Sequence, residues 1–363
     1  MKTILFIHPL CGNGGIKSWA EKFKNGFFGN EYQLIPINIS KRRSTLGHEE
    51  GLMRFFDGML DMMAVIKDVK KELKSHHIDL MHITTSGNVG TFRDFVLVKI
   101  CHKYNVPCIL HCHYGCISKD FIAKGFWGRL LKKTLHLYDE IWVLDKKSET
   151  TLKSDLMLIN KVFITPNSIE VPGSCDLTPK AYRKIAFVGN LIPEKGLLEL
   201  VHAVADYKLE VELIIAGPGK EEVIDDIKQI AKDKFEDKIK YVGKLPNSEA
   251  IELIKSVDMI ALPSYFESEA FPISIIEAMS YGKFVISTPR AAIPDMLTDM
   301  NGNQCGYLVR EKSVEDIVNA IRWCQDNPKE ADARCTKAFE KVTLCYKTEV
   351  VYKLYSELYN KLV

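Results

Sequence analysis

The 363 residues carry 49 Lys and Arg against 47 Asp and Glu, a formal charge of +2, and 46% of them are hydrophobic. Such a chain is too long for one ordinary core and too evenly charged for a nucleic-acid binder, so two globular domains are expected and no nucleic-acid partner. No apolar run reaches the roughly 20 residues that cross a bilayer.

The chain opens MKTILFIHP. Its apolar part is about five residues long and has no small-residue cleavage site, which predicts a buried first strand rather than a signal peptide. Further strands are predicted at residues 33–37, 79–83, 107–111, 140–144 and 162–165, with amphipathic helices at 57–74, 92–104 and 121–138 between them. Strand–helix alternation of this kind argues for a parallel sheet covered on both faces. Residues 171–179, VPGSCDLTP, are turn-rich and aperiodic. The alternation then restarts, with strands at 184–188, 211–216, 239–242, 258–262 and 284–287. Helices are predicted to start near Glu194, Lys220, Ser248, Pro272 and Ser313. In residues 347–362, Val350, Val351, Leu354, Leu358 and Leu362 recur at helical spacing and need a surface to pack on.

The fold class read from this pattern is α/β, with two tandem Rossmann-like, doubly wound domains. The first spans 1–172 and the second 184–346, joined by a linker at 173–183. The helix at 347–363 is expected to pack back on the first domain. Ligands of doubly wound sheets bind at the carboxyl ends of strands, so the ligand is expected in a cleft between the two domains.

Ten cysteines are scattered from Cys11 to Cys345, a usage that fits reduced thiols of a cytoplasmic protein. Cys108, Cys112 and Cys116 with His111 and His113 could be read as a zinc site. Along a strand, however, Cys108 and Cys112 face one way and His111 and His113 the other, so no metal is expected.

Five stretches carry chemistry. After the strand at 184–188 comes GNLIPEKG, with Lys195 placed in the first turn of a helix. A cation there is unfavourable unless an anion such as phosphate accompanies it; the plain alternative is a solvated surface lysine. Residues 216–219, AGPG, make a tight strand-to-helix turn in which Gly217 lets backbone approach a ligand. A third exit, VGKLP, contains Leu245. Residues 267–279, ESEAFPISIIEAM, place Glu269 exposed in a loop and Glu277 within a helix that Pro272 begins. Paired carboxylates here first suggest acid–base work. In the first domain, GNGG at 12–15 follows strand one but fits neither the dinucleotide fingerprint nor the phosphate-binding loop. His113 lies just past its strand, where a structural hydrogen bond is the plain alternative.

Taken together and in order, Gly14-Gly15, His113, Pro166-Asn167-Ser168-Ile169, Gly189 through Lys195-Gly196, AGPG at 216–219 and Glu269-x7-Glu277 resemble the retaining glycosyltransferases of the GT-B fold, glycosyltransferase family 4. The likeness covers nearly the whole chain and is strongest over residues 184–310. It implies a sugar nucleotide, a UDP-sugar foremost, held mainly by the second domain, with no cofactor and no metal. Lys195 is implied to pair with the diphosphate, Glu277 with the ribose hydroxyls and Glu269 with the donor sugar. Backbone N–H groups around Ala270, Phe271 and Pro272 (which itself has none) seat that sugar. Leu245 lies against the base, Gly14 and Gly15 close on the phosphates, and His113 orients the sugar beside the reacting carbon. Read this way, the two glutamates form a donor clamp rather than a catalytic dyad. The chain has no Asp-x-Asp motif suited to a divalent cation.

Three departures stand out. Asn190 replaces the family's arginine, leaving Arg183 or Arg290 to compensate. Ala270 replaces a glycine, and Ala291-Ala292 replaces a Gly-Gly pair. These raise the alternatives of another GT-B enzyme, an epimerase or phosphorylase, or a non-catalytic sugar-nucleotide-binding subunit. For the acceptor, a glycan or lipid-linked molecule is implied. Residues 121–135 mix Lys124, Arg129, Lys132 and Lys133 with Phe126 and Trp127, and Lys41-Arg42-Arg43 adds a basic loop. Peripheral contact with the inner face of a membrane is therefore an expectation, set against an ordinary core-packed helix.

Overall fold

The computed structural model describes residues 1–11, 15–27, 32–40, 52–87, 90–175 and 177–363. The chain divides into two compact units. The first unit is Met1–Pro166 with Tyr352–Val363, and the second is Asn167–Val351.

The first unit runs β1 (Lys2–His8), α1 (Gly15–Gly26), β2 (Tyr32–Asn38), α2 (Leu52–Ser75), β3 (Leu80–Thr85), α3 (Gly90–His102), β4 (Cys108–Cys112), α4 (Ile117–Ile122), α5 (Phe126–Leu137), β5 (Glu140–Val143), α6 (Lys146–Lys153) and β6 (Val162–Ile164). All its strands pair in parallel, in the order β2-β1-β3-β4-β5-β6. Parallel sheets are buried on both faces, which is why these strands read as nearly unbroken apolar runs.

Alternation along the strands gives the two faces different chemistry. Leu5, Ile7, Met81, Ile83, Cys108, Leu110 and Cys112 belong to an aliphatic core shared with residues of α2, α3 and α5. On the other face Phe6 lies 5.3 Å from His82, His82 lies 5.4 Å from His111, and His111 lies 5.3 Å from Trp142. The predicted separation of Cys108 and Cys112 from His111 and His113 is therefore observed. The second face is covered by α1, through Trp19 and Phe23, and by the tyrosines near the end of the chain.

The second unit runs β7 (Lys184–Val188), α7 (Leu197–Asp206), β8 (Glu212–Ala216), α8 (Glu221–Ala231), β9 (Ile239–Tyr241), α9 (Asn247–Ser256), β10 (Met259–Leu262), α10 (Ile273–Ser280), β11 (Phe284–Ser287), α11 (Ile293–Met296), β12 (Tyr307–Leu308), α12 (Val314–Asp326) and α13 (Pro328–Cys345). Its order is β12-β11-β10-β7-β8-β9, again parallel. Ser313 caps α12 by accepting the Asp316 N–H at 3.2 Å, and Pro328 opens α13 where no intrahelical donor is needed.

A last helix, α14 (Thr348–Leu362), belongs to the first unit from Tyr352 onward. Val351, Tyr355, Leu358 and Tyr359 are buried while Val350 is exposed. Its seat is thus built as much from tyrosines as from the aliphatic series read in the sequence. Tyr355 stacks on Trp142 at 4.9 Å and donates to the Pro166 carbonyl at 2.9 Å.

Three boundaries differ from expectation. Residues 121–138 form two helices, not one. The chain leaves α4 at Ala123 in extended conformation, Gly125 precedes α5, and a Cβ on Gly128 would meet the Ala123 carbonyl oxygen at 2.0 Å. Helix α7 starts at Leu197 rather than near Glu194. Residues Pro193–Lys195 form a separate 3₁₀ turn that Gly196 closes in the left-handed region, φ 74°. Pro272 is the cap of α10 rather than its first helical residue.

Candidate active site

Reading the second sheet outward from β7, one arm runs β8-β9 and the other β10-β11-β12, so the order reverses between β7 and β10. Parallel α/β sheets take ligands outside the carboxyl ends of their strands at such a point. The loops that leave β7 and β10 carry Lys195 and Glu269. Their side chains meet: Lys195 Nζ lies 3.3 Å from Glu269 Oε2, with little of either side chain exposed. Ser264, two residues past β10, donates its hydroxyl to the same Oε2 at 3.2 Å. Glu269 is thus a buried, oriented carboxylate, not the exposed loop residue expected. The loop folds inward because its backbone is tied down. The Glu269 N–H donates to Phe266 O at 3.0 Å, and Tyr265 N–H donates to Glu194 O at 2.7 Å.

The loops after β7 and β8 continue as an irregular ladder, with Gly189 N donating to Ala216 O and Leu191 N to Pro218 O. Gly217 makes this possible, since a Cβ there would come within 1.8 Å of the Gly189 carbonyl oxygen. Gly196 is equally constrained, with the Pro263 carbonyl oxygen 2.1 Å from where a Cβ would stand. Asn190 is exposed between these loops, and Leu245 is half-buried beyond β9. Glu277 lies inside α10 past its first turn, half-buried, while Ile275, Ile276 and Met279 are fully buried beneath the helix. Ala270 and Phe271 are buried, and their carbonyls accept from Ala292 N–H and Asn167 Nδ2 at 3.1 and 3.3 Å.

The two arginines proposed to compensate for Asn190 behave differently. Arg183 precedes β7 at the amino edge of the sheet and pairs with Glu210 at 3.4 Å, so it is at the wrong end of the strand. Arg290 is at the carboxyl edge, where Glu311 holds it at 2.9 Å. Ala291, where the family has glycine, adopts φ 43°, a left-handed conformation that an alanine takes up at a cost of about 1–2 kcal/mol.

Besides Ser264, Glu199 and Tyr265 went unread in the sequence. Burial, together with the carboxylate of Glu199 in the first turn of α7, pushes the Tyr265 phenol up to about 12. The Oε2 atom of Glu199 is buried without a hydrogen-bond partner among the described residues. No sequence pattern marks either residue.

In the first unit His113 follows β4, its N–H donating to Thr85 O at 3.0 Å. Its ring lies 4.3 Å from that of Trp19 and 4.0 Å from that of His111. Burial pushes its pKa down to about 3, so the ring is neutral at pH 7, and its Nε2 is buried without a hydrogen-bond partner among the described residues. Below it a chain of polar contacts runs from Thr165 Oγ1 to His111 Nε2 (3.4 Å), from His111 Nδ1 to His82 Nε2 (3.3 Å), and from His82 Nδ1 to the Tyr359 hydroxyl. Gly15 opens α1; Gly14, like Lys41, Arg42 and Arg43, lies outside the described residues.

Among the described residues, His102, Cys108 and Asp139 each bring one ligand atom within 4.8 Å of the others. This trio is at the amino edge of β4, opposite to His113. The Cys108 thiol donates to Val106 O at 3.3 Å, and burial pushes its pKa well up, so it is held as a thiol.

Residues 176–342 match the family model described as "Glycosyl transferases group 1". One component of the Arabidopsis thaliana phosphatidylinositol N-acetylglucosaminyltransferase is 26% identical over 293 residues, 76% of this chain and 58% of that protein. The D-inositol 3-phosphate glycosyltransferase of Corynebacterium aurimucosum is 25% identical over 271 residues, 68% of this chain and 62% of that one. The chain thus spans less than two thirds of the length of these curated relatives. Among solved structures, sucrose-phosphate synthase of Thermosynechococcus elongatus superposes with a TM-score of 0.74 at 16% identity, covering 100% of this chain and 99% of that one. Anabaena Alr3699/HepE in complex with UDP does so with a TM-score of 0.72 at 14% identity over the full length of both chains. Residues 176–342, just under half of the chain and most of the switch-point unit, thus resemble the glycosyl transferases group 1, and the two doubly wound sheets have the fold of the GT-B enzymes.

Proposed function

We propose that this protein is a glycosyltransferase that takes its sugar from a nucleoside diphosphate sugar, a UDP-sugar foremost, held by the second unit. The acceptor is a hydroxyl of a glycan or lipid-linked molecule taken by the first unit. The observation that carries this reading is the Lys195–Glu269 pair at the β7/β10 switch point. A diphosphate needs a cation, a sugar needs oriented hydrogen-bond acceptors, and the pair offers both within one contact. The Anabaena neighbour's complex with UDP supports the choice of nucleotide.

In the reaction the bond from the anomeric carbon to the β-phosphate oxygen breaks, and its electron pair stays on that oxygen. The acceptor oxygen forms the new bond, and its proton passes to the departing diphosphate. Lys195 stabilises the charge that grows on the leaving group, in place of a divalent metal. Glu269 fixes the sugar, and Glu277 takes the ribose hydroxyls. Retention of configuration follows from the family likeness. Backbone N–H groups of Ala270 and Phe271 seat the sugar.

Ile122, Phe126 and Trp127 are exposed at the α4–α5 junction, beside the exposed cations Lys124, Arg129 and Lys133. Apolar and basic groups together at a surface favour an anionic lipid headgroup layer, which supports a lipid-linked acceptor. No helix among the described residues is long and apolar enough to cross a membrane.

Calorimetry with UDP and UDP-glucose tests the donor assignment. Lys195→Ala is expected to weaken UDP binding about tenfold or more, the worth of one charge-assisted contact. Unchanged affinity would remove Lys195 from the diphosphate site.

A further inference from the structure

The first sheet reverses its order between β1 and β3, so its own switch point is at the carboxyl end of β1. The residue there is His8, the last of β1 and only 1% exposed. Its ring stacks on Phe6 with centroids 4.3 Å apart. Its Nδ1 is 3.1 Å from the Pro9 carbonyl oxygen. A carbonyl only accepts, so Nδ1 carries the proton and Nε2 of the neutral ring is a bare acceptor. That Nε2 is buried and has no hydrogen-bond partner among the described residues, an uncommon state for a polar atom in a folded protein.

The hydroxyls at the end of β3, those of Thr84 and Thr85, have partners of their own. Thr84 Oγ1 donates to Ile7 O at 3.3 Å, and Thr85 Oγ1 accepts from Gly87 N–H at 3.2 Å. His113 repeats the pattern on the same face of the sheet, with its own Nε2 buried and unbonded among the described residues. A bare acceptor nitrogen on His8 and a second unbonded ring nitrogen on neutral His113, at a ligand-binding edge, call for an uncharged ligand that donates hydrogen bonds. A polyhydroxylated ring has that chemistry, whereas an anion would face the lone pair of His8.

We propose that His8 is a second carbohydrate-binding residue of the first unit, its Nε2 accepting a hydrogen bond from an acceptor hydroxyl. The assignment rests on the glycosyl-transfer reading above and adds to it a residue at the unit's own switch point.

The test uses the full chain with free glucose and myo-inositol as probes, since both present rings of hydroxyls. Long-range ¹H–¹⁵N spectra of the histidine side chains report Nε2 directly, and saturation-transfer NMR reports sugar binding. Addition of one of these sugars is expected to move the bare His8 Nε2 resonance upfield. His8→Phe, which keeps the stacked ring, is expected to weaken that binding about tenfold. His8→Gln should recover part of it through the amide oxygen, and its melting temperature serves as a check on folding. Equal sugar binding in native protein and His8→Phe would overturn the proposal. So would failure of both sugars to bind the native protein, or an Nε2 resonance that no sugar moves because water alone occupies it. UDP affinity, measured in parallel, should be the same in all three proteins; failure of the native chain to bind UDP would overturn the donor reading instead.

Discussion

The two units share one layer plan and differ in what they place at the point where strand order reverses. In the second unit a lysine and a glutamate meet at 3.3 Å, backed by two glycines that bring backbone close. In the first unit the same position holds neutral histidines packed on Phe6 and Trp19. A charged switch point suits a diphosphate, because fixed charges stabilise charge that moves in the reaction. A neutral one suits a ligand that offers hydroxyl groups and no charge. One fold has thus been given two electrostatic characters, and the proposed division of labour between donor and acceptor rests on that difference.

Acid should break the comparison on one side first. His8, His82, His111 and His113 all have their pKa values lowered, in each case chiefly by burial. A lowered folded-state pKa means that the unfolded chain binds the extra proton. The stability these groups contribute is therefore complete above the unfolded value near 6.5 and is lost as pH falls below it; for His113 the loss continues down to about 3. Each histidine of this kind adds a slope of about 1.4 kcal/mol per pH unit. Urea unfolding followed at pH 7.5 and 5.5 should show the first unit losing stability steeply, and His82→Gln should flatten that slope. Equal pH dependence in that variant would mean that His82 is not part of the acid response. Glu140 works in the opposite sense. Burial raises its carboxyl to about 7, so its contribution is complete below 4.5 and is lost as pH rises through 7.

Glu269→Gln should sharpen the comparison on the other side. Its amide keeps the size and the contact with Ser264 but removes the charge facing Lys195. Turnover is expected to fall about a hundredfold, as for loss of one preorganised group at a reacting centre, with the thermal midpoint little changed. A smaller effect should come from Asn190→Arg. Asn190 is exposed beside the Lys195 loop, and a second cation there should tighten UDP binding by roughly fivefold, a contact of about 1 kcal/mol. If calorimetry shows no gain, the diphosphate does not reach that loop.

Much of this was legible in the sequence because parallel strands announce themselves. The bounds of β7 and β11 coincide with the apolar runs at 184–188 and 284–287. The Glu269-x7-Glu277 spacing likewise located the switch-point loop. What stayed hidden was hydrogen bonding across distance. Nothing local shows that Ser264 and Lys195 draw Glu269 into a buried position. His8, His82 and His111 sit on separate strands, and a single histidine within an apolar run leaves no period to detect. The tyrosines of α14 were passed over for the same reason: the aliphatic series gave the helix, while its seat is fixed by Tyr355 and Tyr359 against Trp142 and His82. The break between α4 and α5 depended on how closely Gly128 meets Ala123, which composition cannot reveal.

The path of the chain through its two units has a consequence for synthesis. The second unit is one continuous stretch, Asn167–Val351, whereas the first is completed only by Tyr352–Val363. Closing a long loop is slow and brings no reward until its distant contacts form. As the chain emerges from the ribosome, the unit made second has all its parts first. The earlier one waits with Trp142 and one side of His82 uncovered until Tyr355 and Tyr359 arrive. Part of the histidine face is therefore among the last apolar surfaces of the first unit to be covered on the nascent chain.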